Sequence, residues 1–164
     1  DSGNSRIQKF VAGGGFVEEW VSDPIGGRQF ERPTGIATDG NGHVYVTDSA
    51  RHRVQKFTLT GKLIHELASS GPASGQFDAP LGIAVSPSSS DVYIADSGNH
   101  RVQRFDSAGI YLGTWGNVGS AAGDFRSPSG IGVESGGDVF VSDLANHRID
   151  RFTSEGLFVP NWSN

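Results

Sequence analysis

Short apolar and β-branched runs alternate with polar turns along the whole chain. In the middle of the sequence, Gly-Ile-Ala-Val at 82–85 is a small apolar run, and Val-Tyr-Ile-Ala-Asp at 92–96 is β-branched and aromatic. Arg-Val-Gln-Arg-Phe at 101–105 is a third run, and a further run at 110–115 follows a turn that ends in Gly109. Such a turn is typical of β-hairpins with a left-handed residue. Because no segment has the apolar stripe of a helix, the pattern predicts four short strands and an all-β fold.

The same order of runs recurs at a fixed spacing. The segment at 96–105 has counterparts at 1–10, 48–57 and 143–152, and the leading Asp returns after 47, 48 and 47 residues. A fixed period of this length indicates a repeat architecture.

Each repeat is expected to contain the same four strands. The fourth strands carry an apolar pair at a fixed offset, namely Phe16 and Trp20, Leu63 and Leu67, Tyr111 and Trp115, and Phe158 and Trp162. The first strands are predicted at 35–38, 82–85 and 130–133, and the second strands at 44–48, 92–96 and 139–143.

The taper of residue size across each repeat favours a β-propeller of four-stranded antiparallel blades. Small residues in the first strand suit a crowded central channel, whereas larger and more polar residues in the outer strands suit the rim. A solenoid of stacked units is the alternative, but it does not account for the taper as well. The chain then forms one propeller region over 1–164, made of a half blade at 1–22 and three blades at about 33–69, 80–117 and 128–164.

The motifs of these units resemble a known family. Pro-x-Gly-Ile-Ala begins at Pro33, Val-Tyr-Val-Thr-Asp ends at Asp48, and His-Arg-Val-Gln-Lys-Phe begins at His52. Over essentially its whole length the chain resembles NHL-repeat proteins, a β-propeller family. The resemblance implies a propeller of the six-bladed type, so three and a half blades would be part of a longer chain or of an assembly of arcs. An open arc would expose inter-blade surfaces and strand edges, which promote association.

Composition narrows the possible partners. The formal charge is −5 and Lys and Arg do not form runs, which argues against nucleic-acid binding. No apolar run reaches the length of a membrane span. The chain has no cysteine, so it has no disulfide or thiolate chemistry.

An Asp five residues before an Arg recurs at the junction of second and third strands. We predict that the Asp caps the turn between these strands through backbone N–H groups and that the Arg holds it from across the hairpin. The pairs with this structural role are Asp48 and Arg53, Asp96 and Arg101, and Asp143 and Arg148.

The repeated histidines His52, His100 and His147 raise the hypothesis of a zinc site. Residues at one position of successive blades converge on an ion only near the propeller axis, and these lie well out along the blade. Enzymatic relatives such as peptidylglycine amidating lyases use His ligands within the channel, but the first strands here contain no His. We therefore predict no catalytic, cofactor or metal site.

The face most suited to ligand binding is formed by the fourth-to-first loops and the second-to-third turns, which emerge at one end of the blades. Its candidate residues are Arg28, Arg32, Arg51, Asp78, Asn99, Arg126 and Asn146. The sequence predicts a non-enzymatic scaffold that binds a protein, peptide or glycan, or other copies of itself. The alternative is a fragment of a propeller lyase or hydrolase whose metal or catalytic residues lie in blades absent from this chain. The resemblance slightly favours an extracellular or cell-surface location.

Overall fold

The computed structural model describes residues 1–21, 30–67 and 70–160. Within these ranges thirteen strands form four antiparallel sheets, joined by turns that include three short 3-10 segments. The all-β propeller fold predicted from the repeat pattern is confirmed. A search of the described residues finds no helix with the length and apolar character needed to cross a membrane.

The sheets follow one another in chain order, and we name each by its strands. The half blade contains β1 (Ile7–Phe10) and β2 (Phe16–Trp20). The first blade contains β3 (Pro33–Thr38), β4 (His43–Asp48), β5 (Arg53–Thr58) and β6 (Leu63–Leu67). The second blade contains β7 (Pro80–Val85), β8 (Val92–Asp96), β9 (Arg101–Phe105) and β10 (Tyr111–Trp115). The third blade contains β11 (Pro128–Val133), β12 (Val139–Asp143) and β13 (Arg148–Phe152).

The fourth strand of the third blade is represented by a single contact. Phe158 forms an isolated antiparallel bridge with Phe152, at the place where fourth strands pair with third strands in the other blades. Trp162, predicted for the same strand, lies outside the described residues.

The first strands begin at a proline, two residues earlier than predicted. Pro33 pairs with Asp48, and a β-bulge separates this pair from the regular ladder that starts at Gly35. The second and third blades have the same arrangement at Pro80 and Pro128. Because proline has no N–H to donate, this irregular end of the strand is a position that proline tolerates.

First strands of neighbouring blades lie side by side, with β7 between β3 and β11. The approach is so close at Gly82 that a Cβ atom there would overlap the carbonyl oxygen of Ser129. A Cβ atom on Gly35 would overlap the carbonyl oxygen of Leu81 in the same way. Glycine is therefore required at the inner edge of these blades.

The cores lie between blades. Phe77, from the loop before the second blade, is fully buried against Tyr45, Val54 and Leu67 of the first blade. Phe125 occupies the equivalent position between the second and third blades. Burying such a side chain contributes about 1.5–3 kcal/mol, so these junctions carry much of the stability.

Candidate interaction surfaces

The repeated Asp at the end of each second strand is buried and bonded to the loop that precedes its own blade. Asp48 is inaccessible to solvent, and its carboxylate accepts the N–H groups of Glu31 at 3.0 Å and Arg32 at 2.8 Å. The carboxylates of Asp96 and Asp143 accept loop N–H groups in the same way. These side chains therefore join the fourth-to-first loop to the second-to-third turn.

The Asp48 carboxylate was predicted to accept hydrogen bonds from N–H groups of the turn that follows it. In the structure it accepts them from the loop before the blade instead. The turn after Asp48 is a 3-10 segment, Ser49–Arg51, and its own bond runs from the His52 N–H to the Ser49 carbonyl oxygen at 3.4 Å. This segment satisfies part of its own backbone, and the Asp48 carboxylate accepts no capping hydrogen bond from it. The carboxylate is left to hold the neighbouring loop.

The arginines five residues later bind in three different ways. The Arg101 Nε donates to Asp96 at 2.8 Å, as predicted from the spacing. Arg53 lies 3.7 Å from Asp48, a looser ion pair. Arg148 turns away from Asp143 and donates to Asp150 at 2.9 Å. The third blade thus departs from the predicted Asp–Arg pair.

Hydrogen bonding keeps Asp143 ionised. Burial opposes the charged form, but the N–H groups of Ser127 and Arg126 and the amide of Asn146 outweigh it and lower the pKa of Asp143. A carboxylate with a lowered pKa in the folded state contributes stability above its ordinary value of 3.8 and loses it as the pH falls through the folded pKa.

Two residues predicted for the ligand face, Asn99 and Asn146, make side-chain hydrogen bonds within the fold. The amide of Asn99 donates to the carboxylate of Asp96 at 2.9 Å and to the Gly71 carbonyl oxygen at 3.0 Å. Asn146 makes the equivalent bonds to Asp143 and Gly119.

Two more residues predicted for the ligand face, Arg51 and Asp78, lie close to a neighbouring side chain. Arg51 lies 3.6 Å from Glu31 in an ion pair, and both side chains are well exposed. Asp78 lies 2.9 Å from the ring of His52 and has 49% of its side chain exposed. Both residues are accessible, although each lies close to a neighbouring side chain.

Arg32 and Arg126 remain as exposed cations at the ends of two loops. Among the described residues, no hydrogen bond or ion pair involves either guanidinium, although the Arg32 and Arg126 backbones are both bonded. Arg28, the remaining candidate, lies outside the described residues.

The histidines connect neighbouring blades. The His100 Nδ1 donates to the Arg126 carbonyl oxygen at 2.8 Å, and the His52 Nδ1 accepts the Ala79 N–H at 2.9 Å. Each of these histidines adopts a left-handed backbone conformation that turns its ring toward the next blade. His147 has the same conformation and is exposed. In the part of the chain that the structure describes, no cluster of three or more His, Asp and Glu side chains is arranged to hold a metal.

The third blade presents an apolar surface that the repeat buries elsewhere. We call Phe140, Leu144 and Ile149 the third-blade face. Val54 and Val102, at the position of Ile149, are fully buried, whereas Ile149 is 47% exposed. Leu144 is 67% exposed and Phe140 is half-buried. Alignment of the repeats was the signal that could have identified Phe140 and Ile149, because it equates them with Tyr93 and Val102, which pack against the third blade.

Comparison with known proteins places these features in a family. The NHL repeat matches residues 30–57, 77–105 and 125–152, which make up just over half of the chain. A comparison with curated protein sequences gave no match.

Several solved structures share the fold. Virginiamycin B lyase from Staphylococcus aureus superimposes with a TM-score of 0.71 and 19% identity, over 99% of this chain and 50% of that one. A gluconolactonase from Xanthomonas campestris gives 0.72 and 20%, over 95% and 54%. Nidogen, in its complex with laminin, gives 0.68 and 20%, over 87% and 50%.

The chain therefore spans about half the length of these proteins, which include enzymes and a propeller bound to a protein. At such identities the likeness concerns the fold alone. The repeat match carries the assignment further, because it falls on the three blades and includes their buried Phe and Asp positions. The chain belongs to the NHL-repeat family of β-propeller proteins.

Proposed function

We propose that this chain is a non-enzymatic NHL-repeat scaffold that binds a protein, peptide or glycan, or further copies of itself. The observation that carries the proposal is the third-blade face, where Leu144 is 67% exposed and Ile149 is 47% exposed. Exposed apolar surface of this kind is typical of protein interaction sites.

The inner junctions suggest what this face would bind. Between the second and third blades, Tyr93 and Val102 pack against Phe125, Val139 and Phe152. Phe140 and Ile149 occupy the positions of Tyr93 and Val102 in the third blade. We therefore propose that a propeller unit of a second copy packs on the third-blade face.

Light scattering during size exclusion tests this assembly. We expect a mass above that of the monomer that rises with concentration, and we expect Ile149→Arg to lower it because a guanidinium cannot be buried unpaired. Ile110→Arg is the matched control, since Ile110 is 62% exposed but lies in the turn between β9 and β10. A wild-type protein that stays monomeric at its highest soluble concentration would contradict self-assembly.

The loop face offers a second binding surface within the same function. Arg32 and Arg126 would attract acidic peptides or anionic glycans through their exposed guanidinium groups. A heparin oligosaccharide is a suitable probe, and we expect the Arg32→Ala/Arg126→Ala double variant to bind it less tightly. Lys62→Ala, on the turn at the other end of the blades, should leave that affinity unchanged.

The alternative function is that of a propeller lyase or hydrolase whose metal or catalytic residues lie in blades absent from this chain. It is supported by the fold shared with a lyase and a gluconolactonase. Turnover of a lactone or of virginiamycin B by a longer chain that contains such blades, abolished by a chelator, would favour the enzyme over the scaffold.

A further inference from the structure

The loops before the first and third blades orient one peptide group in the same way. In the first loop, the Arg32 N–H points toward its own blade and donates to Asp48 at 2.8 Å. In the third loop, the Ser127 N–H occupies the same position and donates to Asp143 at 2.9 Å. The carbonyl group of each peptide therefore points the other way, toward the preceding blade.

The carbonyl oxygens of these two peptide groups are bonded to the preceding turn. The Ser5 hydroxyl donates to the Glu31 carbonyl oxygen at 2.8 Å. The His100 Nδ1 donates to the Arg126 carbonyl oxygen at 2.8 Å. Ser5 and His100 occupy the same position of the repeat, so both side chains act as donors to the loop that follows.

The equivalent peptide group before the second blade, between Asp78 and Ala79, is turned over. The Asp78 carbonyl oxygen points toward its own blade and accepts the Gly98 N–H at 2.9 Å. The Ala79 N–H points toward the first blade and donates to the Nδ1 atom of His52 at 2.9 Å. His52 therefore accepts a hydrogen bond at the position where its counterparts in the half blade and the second blade donate one.

The backbone of Ala79 has the conformation that this reversal requires. Its φ is 44°, whereas Arg32 and Ser127, at the same position of the other loops, do not have a positive φ. Turning a peptide group over changes φ of the residue that follows, as in the exchange between type I and type II turns. Because the left-handed region is unfavourable for a residue with a Cβ atom, the reversed peptide is strained and is held by its bond to His52.

His52 contacts two groups that need opposite partners. Its Nδ1 atom lies 2.9 Å from the Ala79 nitrogen, which is a donor, and 2.9 Å from a carboxylate oxygen of Asp78, which is an acceptor. A neutral Nδ1 accepts the Ala79 N–H, and a protonated Nδ1 donates to an oxygen of Asp78. Since one protonation state cannot serve both groups through this atom, the arrangement depends on the charge of His52.

The other charged groups around this ring are already in ion pairs. Arg51, beside the ring in the turn, lies 3.6 Å from Glu31. Asp96, behind the loop, is paired with Arg101 at 2.8 Å. A proton on the ring therefore acts first on Asp78, the charged group in contact with it, and on the peptide group beside it.

We propose that protonation of His52 turns the Asp78–Ala79 peptide group over, so that this loop is a pH-dependent conformational switch. A proton on Nδ1 removes the acceptor of the Ala79 N–H and supplies a donor for the Asp78 carbonyl oxygen, as in the other two loops. The released N–H then donates to Asp96, whose Oδ1 atom accepts the Asp78 N–H at 2.7 Å and has a second lone pair. Gly98 is exposed, so water can bond its N–H in place of the Asp78 oxygen.

The switch lies on the loop face, between the loops that carry Arg32 and Arg126. Protonation adds one positive charge there, so anion binding at the loop face should tighten as the pH falls. This consequence rests on the proposed function of the loop face. The turning of the peptide group needs no ligand, so it can be observed even if heparin does not bind.

NMR spectroscopy of the whole chain across about pH 5–8, where histidine ordinarily changes charge, tests the proposal. We expect the Ala79 Cα and Cβ shifts to leave their left-handed values as the His52 ring takes up a proton, and the Gly98 amide signal to change at the same midpoint. His100 is the internal control, because it already donates through Nδ1 and protonation adds a proton only at Nε2. The Cα and Cβ shifts of Ser127 should therefore stay constant.

Two variants favour opposite states of the switch. His52→Ser places a hydroxyl donor where Ser5 stands in the half blade, so the Ala79 shifts should have their low-pH values at every pH. Ala79→Gly tolerates a positive φ and stabilises the reversed peptide. It should therefore move the midpoint, read from the Gly98 amide signal, to lower pH by about one unit.

The proposal is overturned if the Ala79 Cα and Cβ shifts keep their left-handed values while the His52 ring is protonated. His52 would then donate to the Asp78 carboxylate without turning the peptide group. A His52→Ser variant that keeps the neutral-pH shifts of the wild-type protein would overturn it as well. The first comparison uses unaltered protein, so it holds even if a variant fails to fold.

Discussion

Asp96 shows how one buried side chain organises the end of a blade. It is fully buried, and its carboxylate accepts hydrogen bonds from the Asp78 N–H and from the side chains of Asn99, Arg101 and Gln103. A buried carboxylate with this many donors is stable as the anion, but removing it leaves several donors without an acceptor.

We expect Asp96→Ala to lower the free energy of unfolding by about 3–5 kcal/mol, because the Arg101 charge would lose its buried partner. Urea denaturation measures the change. Glu134→Ala, at an exposed turn, is the control and should stay within about 0.5 kcal/mol of wild type. If Asp96→Ala had the same midpoint of urea denaturation as the wild-type protein, the hydrogen-bond network of Asp96 would be dispensable for stability.

The buried carboxylate of Asp150 in the third blade works against the fold at neutral pH. It is 8% exposed, at a position where the first and second blades have Gln55 and Gln103. Burial raises the pKa of Asp150, Arg148 opposes this, and the nearby charge of Asp143 adds to the rise. An acid with a raised pKa in the folded state destabilises the protein at pH values above that pKa.

Asp150→Gln should therefore stabilise the protein by about 1 kcal/mol at neutral pH, with Arg148 turning to Asp143 as Arg101 turns to Asp96. The gain should disappear as the pH falls through the raised pKa toward the ordinary value of 3.8, where wild-type Asp150 is protonated. Thermal unfolding over a pH series checks this. A variant less stable than wild type at neutral pH would be evidence that the Arg148–Asp150 ion pair outweighs the burial of charge.

At the residue scale, the sequence indicated which side chains have a structural role but not which groups they form hydrogen bonds with. The Asp–Arg spacing predicted a structural role, and Asp96 with Arg101 has that geometry. The acceptor bonds of Asp48 go to residues 16 and 17 positions away, in the loop just before the neighbouring strand β3. Sequence spacing cannot reveal such contacts, because they arise only when the loop folds back over the sheet.

At the scale of elements, the inner strands set how closely blades pack. Gly82 in β7 leaves room for the backbone of β11, whereas Gly132 in β11 has open space where a Cβ atom would lie. The first and second blades have Ala37 and Ala84 at the position of Gly132. The two glycines therefore allow a controlled comparison. Gly82 is required because the β11 backbone lies close to it, whereas Gly132 has no such neighbour.

Gly82→Ala should destabilise the protein by about 1–3 kcal/mol or more, because the added methyl group overlaps the Ser129 carbonyl oxygen. Gly132→Ala should be neutral or stabilise by up to about 1 kcal/mol, since it reduces the entropy of the unfolded chain. Calorimetric melting temperatures compare the two. Equal effects would mean that the blades are not packed through their first strands.

The strand pattern was predictable because the same order of β-branched and aromatic residues recurs in every blade. The start of the first strands was missed by two residues, since Pro33 usually marks a boundary and here pairs with Asp48 beyond a β-bulge. Local pattern defines the middle of a strand, while its ends depend on the pairing partner.

At the scale of the whole molecule, the arc has inner blades covered on both sides and a third blade covered on one. Strand β8 is buried along its whole length, whereas its counterpart in the third blade, β12, alternates between buried and half-buried residues. The sequence predicted open inter-blade surfaces from the blade count. It could not rank the residues, because Ile149 and the buried Val102 have the same apolar character and differ only in what lies above them.

The third-blade face is the centre of the proposed scaffold function, and isoleucine methyl NMR over a concentration series tests it most directly. We predict that the Ile149 methyl signals shift or broaden as concentration rises, while those of Ile110, which is more exposed but lies away from the face, stay constant. Unchanged Ile149 signals, or changes as large at Ile110, would contradict assembly through the third-blade face.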